Sequence, residues 1–211
     1  MSLPDVHEMN LTSAVSQEYA DFWSSCVVRP QRLAQVDGIV DSIVKKKARY
    51  RAAGKPHGVP WHVVAVIHML EGSGSFSTHL HNGDPLTART VHEPKGRPRA
   101  GKPPFSWEQS ASDALVYDGL SRWTNWSLPG TLFVLERFNG FGYRKKTIDI
   151  PSPYLWSFSN HYTKGKFIQD KVFSPTAVSR QCGAAVLLKR MVSRRLVRIT
   201  GAAGVGGSSS P

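Results

Sequence analysis

Apolar residues recur with a helical period along most of the chain. Residues 12–26, TSAVSQEYADFWSSC, have the pattern of an amphipathic helix, with Thr12 or Ser13 as its N-cap. A longer helix is predicted over residues 29–54, where Pro30 lies at the start and Gly54 just past the end. Its apolar positions fall on one stripe, formed by Leu33, Val36, Ile39, Val40, Ile43 and Val44.

Residues 61–72, WHVVAVIHMLEG, differ from these two segments because they are apolar on nearly every side of a helix. His62 and His68 alone interrupt the run before Glu71. A helix that is apolar all round is typical of a buried position. We therefore predict a buried central helix that ends at or near Glu71 and leads into a Gly-Ser-Gly turn.

Three further helices and one hairpin complete the predicted elements. The pair Asn82-Gly83 between two polar-apolar segments favours a small β-hairpin or a tight turn. Helices are predicted within residues 106–120, 128–143 and 174–192, with Ser106 and Ser174 as N-caps and a Gly-rich turn at the end of the second segment. The fold class is therefore mainly α, an α+β arrangement with the hairpin directly after the buried helix.

The domain organisation predicted from these elements is simple. Residues 1–10 are expected to be a flexible N-terminus, residues 11–192 a single domain, and residues 193–211, rich in Arg, Gly and Ser, a basic disordered tail. Two widely separated cysteines, Cys26 and Cys182, are expected to be buried free thiols.

Composition and charge narrow the class of protein. The chain has 211 residues, of which 40% are hydrophobic, and a formal net charge of +12. This composition is that of a globular protein, and no apolar run reaches the length of a membrane span. The excess of basic residues favours polyanionic partners, including non-specific anionic polymers. The first residues contain acids and no apolar core, so we expect no signal peptide and a cytoplasmic protein until its release.

Glu71 is the strongest catalytic candidate. Apolar neighbours and the negative end of a helix dipole should both raise the pKa of its carboxyl group. The glycines after it leave room for a ligand to approach the backbone. A carboxylic acid that stays protonated near neutral pH is what general-acid cleavage of a glycosidic bond requires.

Glycoside hydrolysis usually needs a second carboxylate, and Asp84 in the predicted hairpin is the candidate. In inverting enzymes the two carboxyl groups lie roughly 6.5–9.5 Å apart, which leaves space for a water molecule. Thr87 and Thr90 are candidates for positioning that water. The alternative for Asp84 is an ordinary turn-forming residue, because Asp before Pro is common in turns.

A Glu that ends a buried helix, followed by a hairpin with Asp and then Thr, resembles the lysozyme-like superfamily. That superfamily includes phage-type and goose-type lysozymes and lytic transglycosylases, and the resemblance covers roughly residues 60–165. It implies that Glu71 is the catalytic acid and that the hairpin forms one wall of a sugar cleft. The segment ERFNGFGYR looks like the helix end that lines this cleft, and SPYLWSFSNHY resembles its aromatic wall.

The resemblance implies a peptidoglycan-degrading glycosidase, an endolysin-like lysozyme that cleaves β-1,4 bonds between amino sugars at the bacterial envelope. No cofactor and no stable protein partner are predicted. The Gly-Leu-Met-Gln signature of transglycosylases is absent after the acid, and Asp84 favours hydrolysis, yet a transglycosylase, a chitinase or a chitosanase stays open. The predicted substrate-binding residues are Ser73, Asn82, Asn139, Tyr143, Tyr154, Trp156, Asn160 and Tyr162.

Three alternatives from other classes remain. His79 and His81, with Asp84 and His92, could ligate zinc, but no HExxH or paired Cys-x-x-Cys motif supports a metal. The KKKARYR run and the Arg-rich tail would suit a nucleic-acid-binding protein without catalysis, although no reading motif is present. A non-catalytic module that binds the cell wall is the third.

Overall fold

The computed structural model describes residues 9–169 and 171–202, and the chain divides into two compact units. One unit combines Met1–Val40 with Asn125–Pro211, and the other is Asp41–Thr124. Residues distant in sequence thus form the first unit, and one continuous segment forms the second; the single domain over residues 11–192 stays a prediction.

The described chain is mainly helical, with one small antiparallel sheet, as the hydropathy pattern predicts. The helices are α1 Ser13–Ser25, α2 Leu33–Lys45, α3 Lys47–Gly54, α4 Trp61–Gly72, α5 Trp107–Tyr117, α6 Leu128–Asn139, α7 Pro153–Trp156 and α8 Ala184–Ser193. The strands are β1 Lys166–Gln169 and β2 Val172–Ser174. None of the described helices has both the length and the apolar character needed to cross a lipid bilayer.

Two helix starts follow the predicted capping chemistry. The Thr12 hydroxyl accepts a hydrogen bond from the Val15 N–H at 3.2 Å, which satisfies one of the free donors at the start of α1. Ser106 and Gln109 form a reciprocal capping box at the start of α5, in which each side chain accepts from the other residue's backbone N–H. These two predictions from sequence are confirmed.

Two predicted helices have different limits. The segment 29–54 is broken at Lys46, whose φ of −103° and ψ of 6° separate α2 from α3. The last helix begins at Ala184 rather than beside Ser174, which lies in β2. Its N-cap is Gly183, where an added Cβ would lie 2.2 Å from the Leu155 carbonyl oxygen, so the close approach of the two backbones requires glycine.

Of the predicted β-hairpin or tight turn at Asn82-Gly83, the structure has the turn, and the small sheet lies elsewhere. Around that turn the described chain has one isolated bridge, between Thr78 and Pro85. The sheet is instead formed by β1 and β2, which pair Lys166 with Ser174, Phe167 with Phe173 and Gln169 with Val172. The register is irregular between Phe167 and Gln169. No hairpin wall after α4 is therefore present among the described residues.

Each unit has a core of its own helices. In the first unit α1 packs against α6, and α7 packs against both α6 and α8. In the second unit α3 packs against α4 and α5. The prediction that α4 is buried is confirmed, because nine of its twelve residues are buried: His62, Val63, Val64, Ala65, Val66, Ile67, His68, Leu70 and Gly72. Both cysteines are buried free thiols, as expected.

The chain after α8 packs into the first unit. Val197 and Ile199 are only 7% and 8% exposed, and the Leu128 N–H at the start of α6 donates to the Thr200 carbonyl oxygen at 2.8 Å. The prediction of a disordered tail is therefore wrong for residues 193–202, because apolar residues spaced among the arginines fill the core. Residues 203–211 of that tail, and residues 1–8 of the predicted flexible N-terminus, lie outside the described residues.

Replacement of Ile199 by alanine tests this packing. Since the side chain is buried, Ile199→Ala should lower the free energy of unfolding by about 2–5 kcal/mol, as measured by urea titration. Val178→Ala is the matched control, because Val178 is 52% exposed, and it should change stability by less than about 0.5 kcal/mol. Equal, small effects of both substitutions would show that the segment after α8 is not packed.

Candidate active site

Glu71 lies at the last turn of α4 and is half-buried. After Gly72 the backbone of Ser73 enters the left-handed region, with φ at 50°, and its N–H donates to the His68 carbonyl oxygen. The Gly74 N–H donates to the same carbonyl at 3.1 Å. These two bonds end the helix directly after the carboxylate, as the Gly-Ser-Gly sequence predicts.

The turn that carries Asn82 and Gly83 lies against the backbone at Glu71. A Cβ added at Gly83 would stand 2.3 Å from the Glu71 carbonyl oxygen, and Gly83 has a φ of 79°. No side chain fits in this space, so glycine is required for both reasons. The predicted proximity of this turn to the end of α4 is thus present, although the turn is not a hairpin.

His68 is fixed as a neutral ring inside the second unit. Its Nε2 lies 2.9 Å from the Ser75 carbonyl oxygen and its Nδ1 lies 3.0 Å from the Tyr50 hydroxyl. Because a carbonyl only accepts, the Nε2–H donates to Ser75, and Nδ1 accepts from Tyr50. Burial lowers the pKa of His68 to about 4, although the bond to Ser75 opposes this. His68 therefore adds no positive charge three residues before Glu71 at neutral pH.

Asp84 does not have the free carboxylate that a catalytic base needs. One oxygen, Oδ2, accepts from the backbone N–H groups of Val91 and His92 at 2.8 and 3.0 Å and from the Asn82 amide at 3.2 Å. The other, Oδ1, lies 2.6 Å from Nδ1 of His92. Although burial opposes it, these bonds hold the pKa of Asp84 below its usual value. We therefore correct its predicted role: Asp84 organises the loop.

Thr87 and Thr90, the residues predicted to position the catalytic water, lie in the same loop as Asp84. Thr90 is buried, its hydroxyl donates to the Pro94 carbonyl, and the same oxygen accepts from the Arg97 N–H at 2.9 Å. Thr87 is exposed on the loop. Thr90 is not placed to position a water molecule for catalysis, because its hydroxyl is buried and its one hydrogen is donated within the loop.

Asn82 is bound within the same loop. Its amide nitrogen donates to the carbonyl oxygens of His92 and Glu93 at 3.0 and 3.2 Å, and its Oδ1 accepts from the Asp84 N–H at 3.0 Å. The amide is therefore unavailable to a sugar hydroxyl, and the predicted substrate contact is wrong. Ser73, by contrast, is exposed directly after α4.

The predicted aromatic wall is part of the core of the first unit. Tyr143, Tyr154, Trp156 and Tyr162 are 6%, 8%, 2% and 4% exposed. A ring at such low exposure has no face on which a pyranose could stack, so their prediction as sugar-binding residues is wrong. Burial in so polar a segment is possible because hydroxyls and amides bond the backbone. For example, the Tyr162 hydroxyl donates to the Gly165 carbonyl at 3.0 Å and accepts from the Ser179 N–H at 3.0 Å.

Asn160 and Asn139, the two remaining candidates, are exposed residues of the first unit. Asn160 joins two segments, because its Oδ1 accepts from the Val27 N–H at 2.8 Å and its amide donates to the Ser25 carbonyl at 3.0 Å. This structural use replaces the predicted contact with a glycan. Asn139 is the last residue of α6, and its exposed position leaves the prediction standing.

In the second unit a serine, a histidine and an aspartate are linked in series by hydrogen bonds, as in the catalytic triad of a nucleophilic hydrolase. The hydroxyl oxygen of Ser110 lies 3.3 Å from Nδ1 of His81, and Nε2 of His81 lies 2.8 Å from Oδ1 of Asp113. Ser110 and Asp113 stand three positions apart on α5, a spacing visible in the sequence. However, Ser110 is completely buried and its oxygen already accepts from the Leu80 N–H at 3.0 Å. The network stabilises the loop and leaves no access for a substrate.

The zinc alternative finds no support in this geometry. The His79 nitrogens lie 2.9 Å from the Ser110 hydroxyl and 2.8 Å from the Ala88 carbonyl oxygen, and His81 bonds Asp113 as described. Within residues 9–169 and 171–202, no group of three or more His, Cys, Asp or Glu side chains is arranged to hold a metal ion.

Compared with known proteins, the chain matches no family model, no curated protein and no solved structure. The chemistry of this site therefore follows from its own residues.

The role of Asp84 predicts a specific pH dependence of stability. Its pKa is lower in the folded chain than the value of about 3.9 in an unfolded chain. Its contribution is thus fully present above about pH 4 and is lost as the pH falls through the folded pKa. In urea titrations from about pH 5 to pH 3, the wild type should lose more stability than Asp84→Asn.

The control is Asp21→Asn, which replaces an exposed aspartate of α1 and should keep the pH dependence of the wild type. If Asp84→Asn also kept that dependence, the hydrogen bonds to Asp84 would contribute nothing to the folded state.

Proposed function

We propose that this protein is a glycosidase of the lysozyme-like type, with Glu71 as the general acid that protonates the leaving oxygen of a β-1,4 bond between amino sugars. The observation that carries the proposal is the position of Glu71. This half-buried carboxylate ends an apolar buried helix, and the exposed Ser73 follows it in a left-handed turn. A partly desolvated acid close to an exposed residue is suited to proton donation to a polysaccharide.

The proposed mechanism uses one carboxylate. Asp84 has both oxygens bonded within its own loop, so it holds the turn containing Gly83 against the Glu71 backbone. Without a second acid to activate water, the anomeric centre must be attacked by water that another group positions, or by the substrate itself. The first route is hydrolysis and the second is that of a lytic transglycosylase, so this correction strengthens the transglycosylase alternative.

The proposed substrate is peptidoglycan. The net charge of +12 would steer the protein toward the anionic bacterial wall and its attached polymers. His68 supports the acid indirectly, because its neutral ring adds no charge that would favour ionisation of Glu71.

Glu71→Gln tests the proposal on purified bacterial cell walls. Removal of a general acid should slow clearing by about 10²–10⁴-fold, because general-acid catalysis contributes about that factor. Asp84→Asn should slow it by less than about tenfold, as expected for a residue that organises a loop. Glu93→Gln, which changes an exposed acid of the same unit, is the matched control and should clear at the wild-type rate.

Clearing by Glu71→Gln at the wild-type rate would remove this residue from the mechanism. Analysis of the released fragments separates the two reaction types: new reducing ends indicate hydrolysis, and anhydro-sugars indicate a transglycosylase.

A second candidate function, binding of a polyanion without catalysis, is favoured by the exposed face of α3 and its flanks. Lys45, Lys47, Arg51 and Lys55 are exposed there. Arg49 is exposed too, but its guanidinium bonds Glu108 at 2.6 Å and lies 3.8 Å from the centre of the Phe76 ring.

Retention on double-stranded DNA measures this second function. If these cations contact phosphates, Lys47→Gln combined with Arg51→Gln should reduce the slope of log affinity against log salt by about 1.8, since each contact contributes about 0.9. An unchanged slope would exclude this face of α3. Strong DNA binding without any wall clearing would favour the second function over the first.

A further inference from the structure

The first unit contains a pocket that the glycosidase proposal does not use. Its volume is about 290 Å³, near the lower end for small-molecule sites. The lining residues are Glu18, Phe22, Glu136, Tyr143, Arg144, Asp149, Ile150, Pro151, Ser152 and Trp156. Three carboxylates against one guanidinium leave this lining with two negative charges in excess, in a chain whose net charge is +12.

The guanidinium of Arg144 is already committed to carboxylates. Its Nε and Nη2 donate to the two oxygens of Glu136 at 3.0 and 2.9 Å, and its Nη1 donates to Glu18 at 3.0 Å. Glu136 also accepts from the Tyr19 hydroxyl at 2.6 Å. Because every guanidinium nitrogen has an acidic partner, Arg144 is not available to recognise an anion. The pocket therefore selects against anionic ligands.

Two polar groups of the lining are free to meet a ligand. Asp149 is exposed, and its carboxylate has no hydrogen bond or ion pair within the described part of the chain. Ser152 is 3% exposed, and its hydroxyl has no partner among the described residues. A buried hydroxyl without a partner is costly, so a donor or acceptor brought into the pocket would be stabilised there.

Aromatic rings form the apolar part of the same lining. The ring centroids of Phe22 and Trp156 are 5.4 Å apart, and Tyr143 lines the pocket as well. Aromatic faces attract organic cations through their quadrupole, and an ammonium group donates hydrogen bonds to carboxylate and hydroxyl oxygens. A metal ion fits less well, since the described acids form no cluster that could hold one.

We propose that this pocket binds the primary ammonium group of a small ligand, with Asp149 and Glu18 as its anionic partners, Ser152 as an acceptor and the half-buried Phe22 as its aromatic wall. Two sources present this chemistry: an amino sugar without its acetyl group, and the side-chain amine of a diamino acid. That either would come from the bacterial wall rests on the glycosidase proposal, whereas the chemistry of the pocket does not.

Binding is measured by chemical-shift changes in the NMR spectrum of the full chain, with the Trp156 indole N–H as the local reporter and Trp156→Phe to assign it. D-glucosamine is compared with N-acetyl-D-glucosamine, and Nα-acetyl-lysinamide with its Nε-acetylated form. We expect saturable shifts with at least one of the two amines and none with either acetylated compound. The amine that binds identifies the source. Equal binding of an amine and its acetylated form, or no binding by either amine, would overturn the proposal.

Asp149→Asn tests the charge in the pocket. Asp149 has a positive φ of 42°, a region that Asn also tolerates, so the substitution should preserve the backbone. The affinity for the amine should fall about tenfold, as expected for the loss of one partly exposed ionic contact. Glu93→Gln removes one exposed acid from the other unit and should leave the affinity unchanged. Wild-type affinity of Asp149→Asn would overturn the assignment.

The outcomes also separate this proposal from the proposed function. Amine binding without wall clearing would support the pocket and contradict the glycosidase. Wall clearing without amine binding would support the glycosidase and remove the pocket from substrate recognition.

Discussion

The burial of α4 is the constraint on which the account of the second unit depends. The helix is apolar on nearly every side, so its free energy is lowest when the whole helix is removed from water. The carboxylate of Glu71 can then remain only where the helix ends. The left-handed turn at Ser73 and the close approach of Gly83 fix that end. One hydrophobic segment thereby places an acid at the boundary between core and solvent.

The local sequence predicted those parts of the structure that depend on neighbouring residues. The caps at Thr12 and Ser106 and the burial of α4 follow from chemistry within one or two turns of helix. The turn at Gly83 and the buried free thiols were also predictable from residue type.

Predictions that depended on distant contacts were less successful. The loop after α4 has one antiparallel bridge, between Thr78 and Pro85, and Asp84 and Asn82 bond backbone groups seven to eleven positions away along the chain. A short stretch of sequence does not show which distant backbone groups these side chains will bond. The segment around Tyr162 is rich in polar residues, yet the Tyr162 hydroxyl bonds the distant backbone N–H of Ser179 and so allows burial. For the same reason the second carboxylate and the aromatic wall of the candidate site could not be corrected from the sequence.

Although the net charge of the chain is +12, individual regions carry an excess of opposite sign. Exposed cations lie on α3 in the second unit, and an excess of acids surrounds Arg144 in the first unit. In the first case long side chains extend into solvent, where they favour association with polyanions. In the second case carboxylates share one guanidinium, and the surplus negative charge remains in a pocket with aromatic walls. A basic protein can thus hold a site for a cation.

If Glu71 is the proposed general acid, the proton on its carboxyl group drives cleavage of the glycosidic bond. The pH dependence of kcat/KM for a soluble peptidoglycan fragment tests this role, because that profile reports ionisation of the essential acid in the free enzyme. We expect the rate to fall as the pH rises through the pKa of the Glu71 carboxyl group, and the small residual rate of Glu71→Gln no longer to follow this decline. A wild-type rate that stays constant to about pH 9, or a decline that persists in Glu71→Gln, would contradict it.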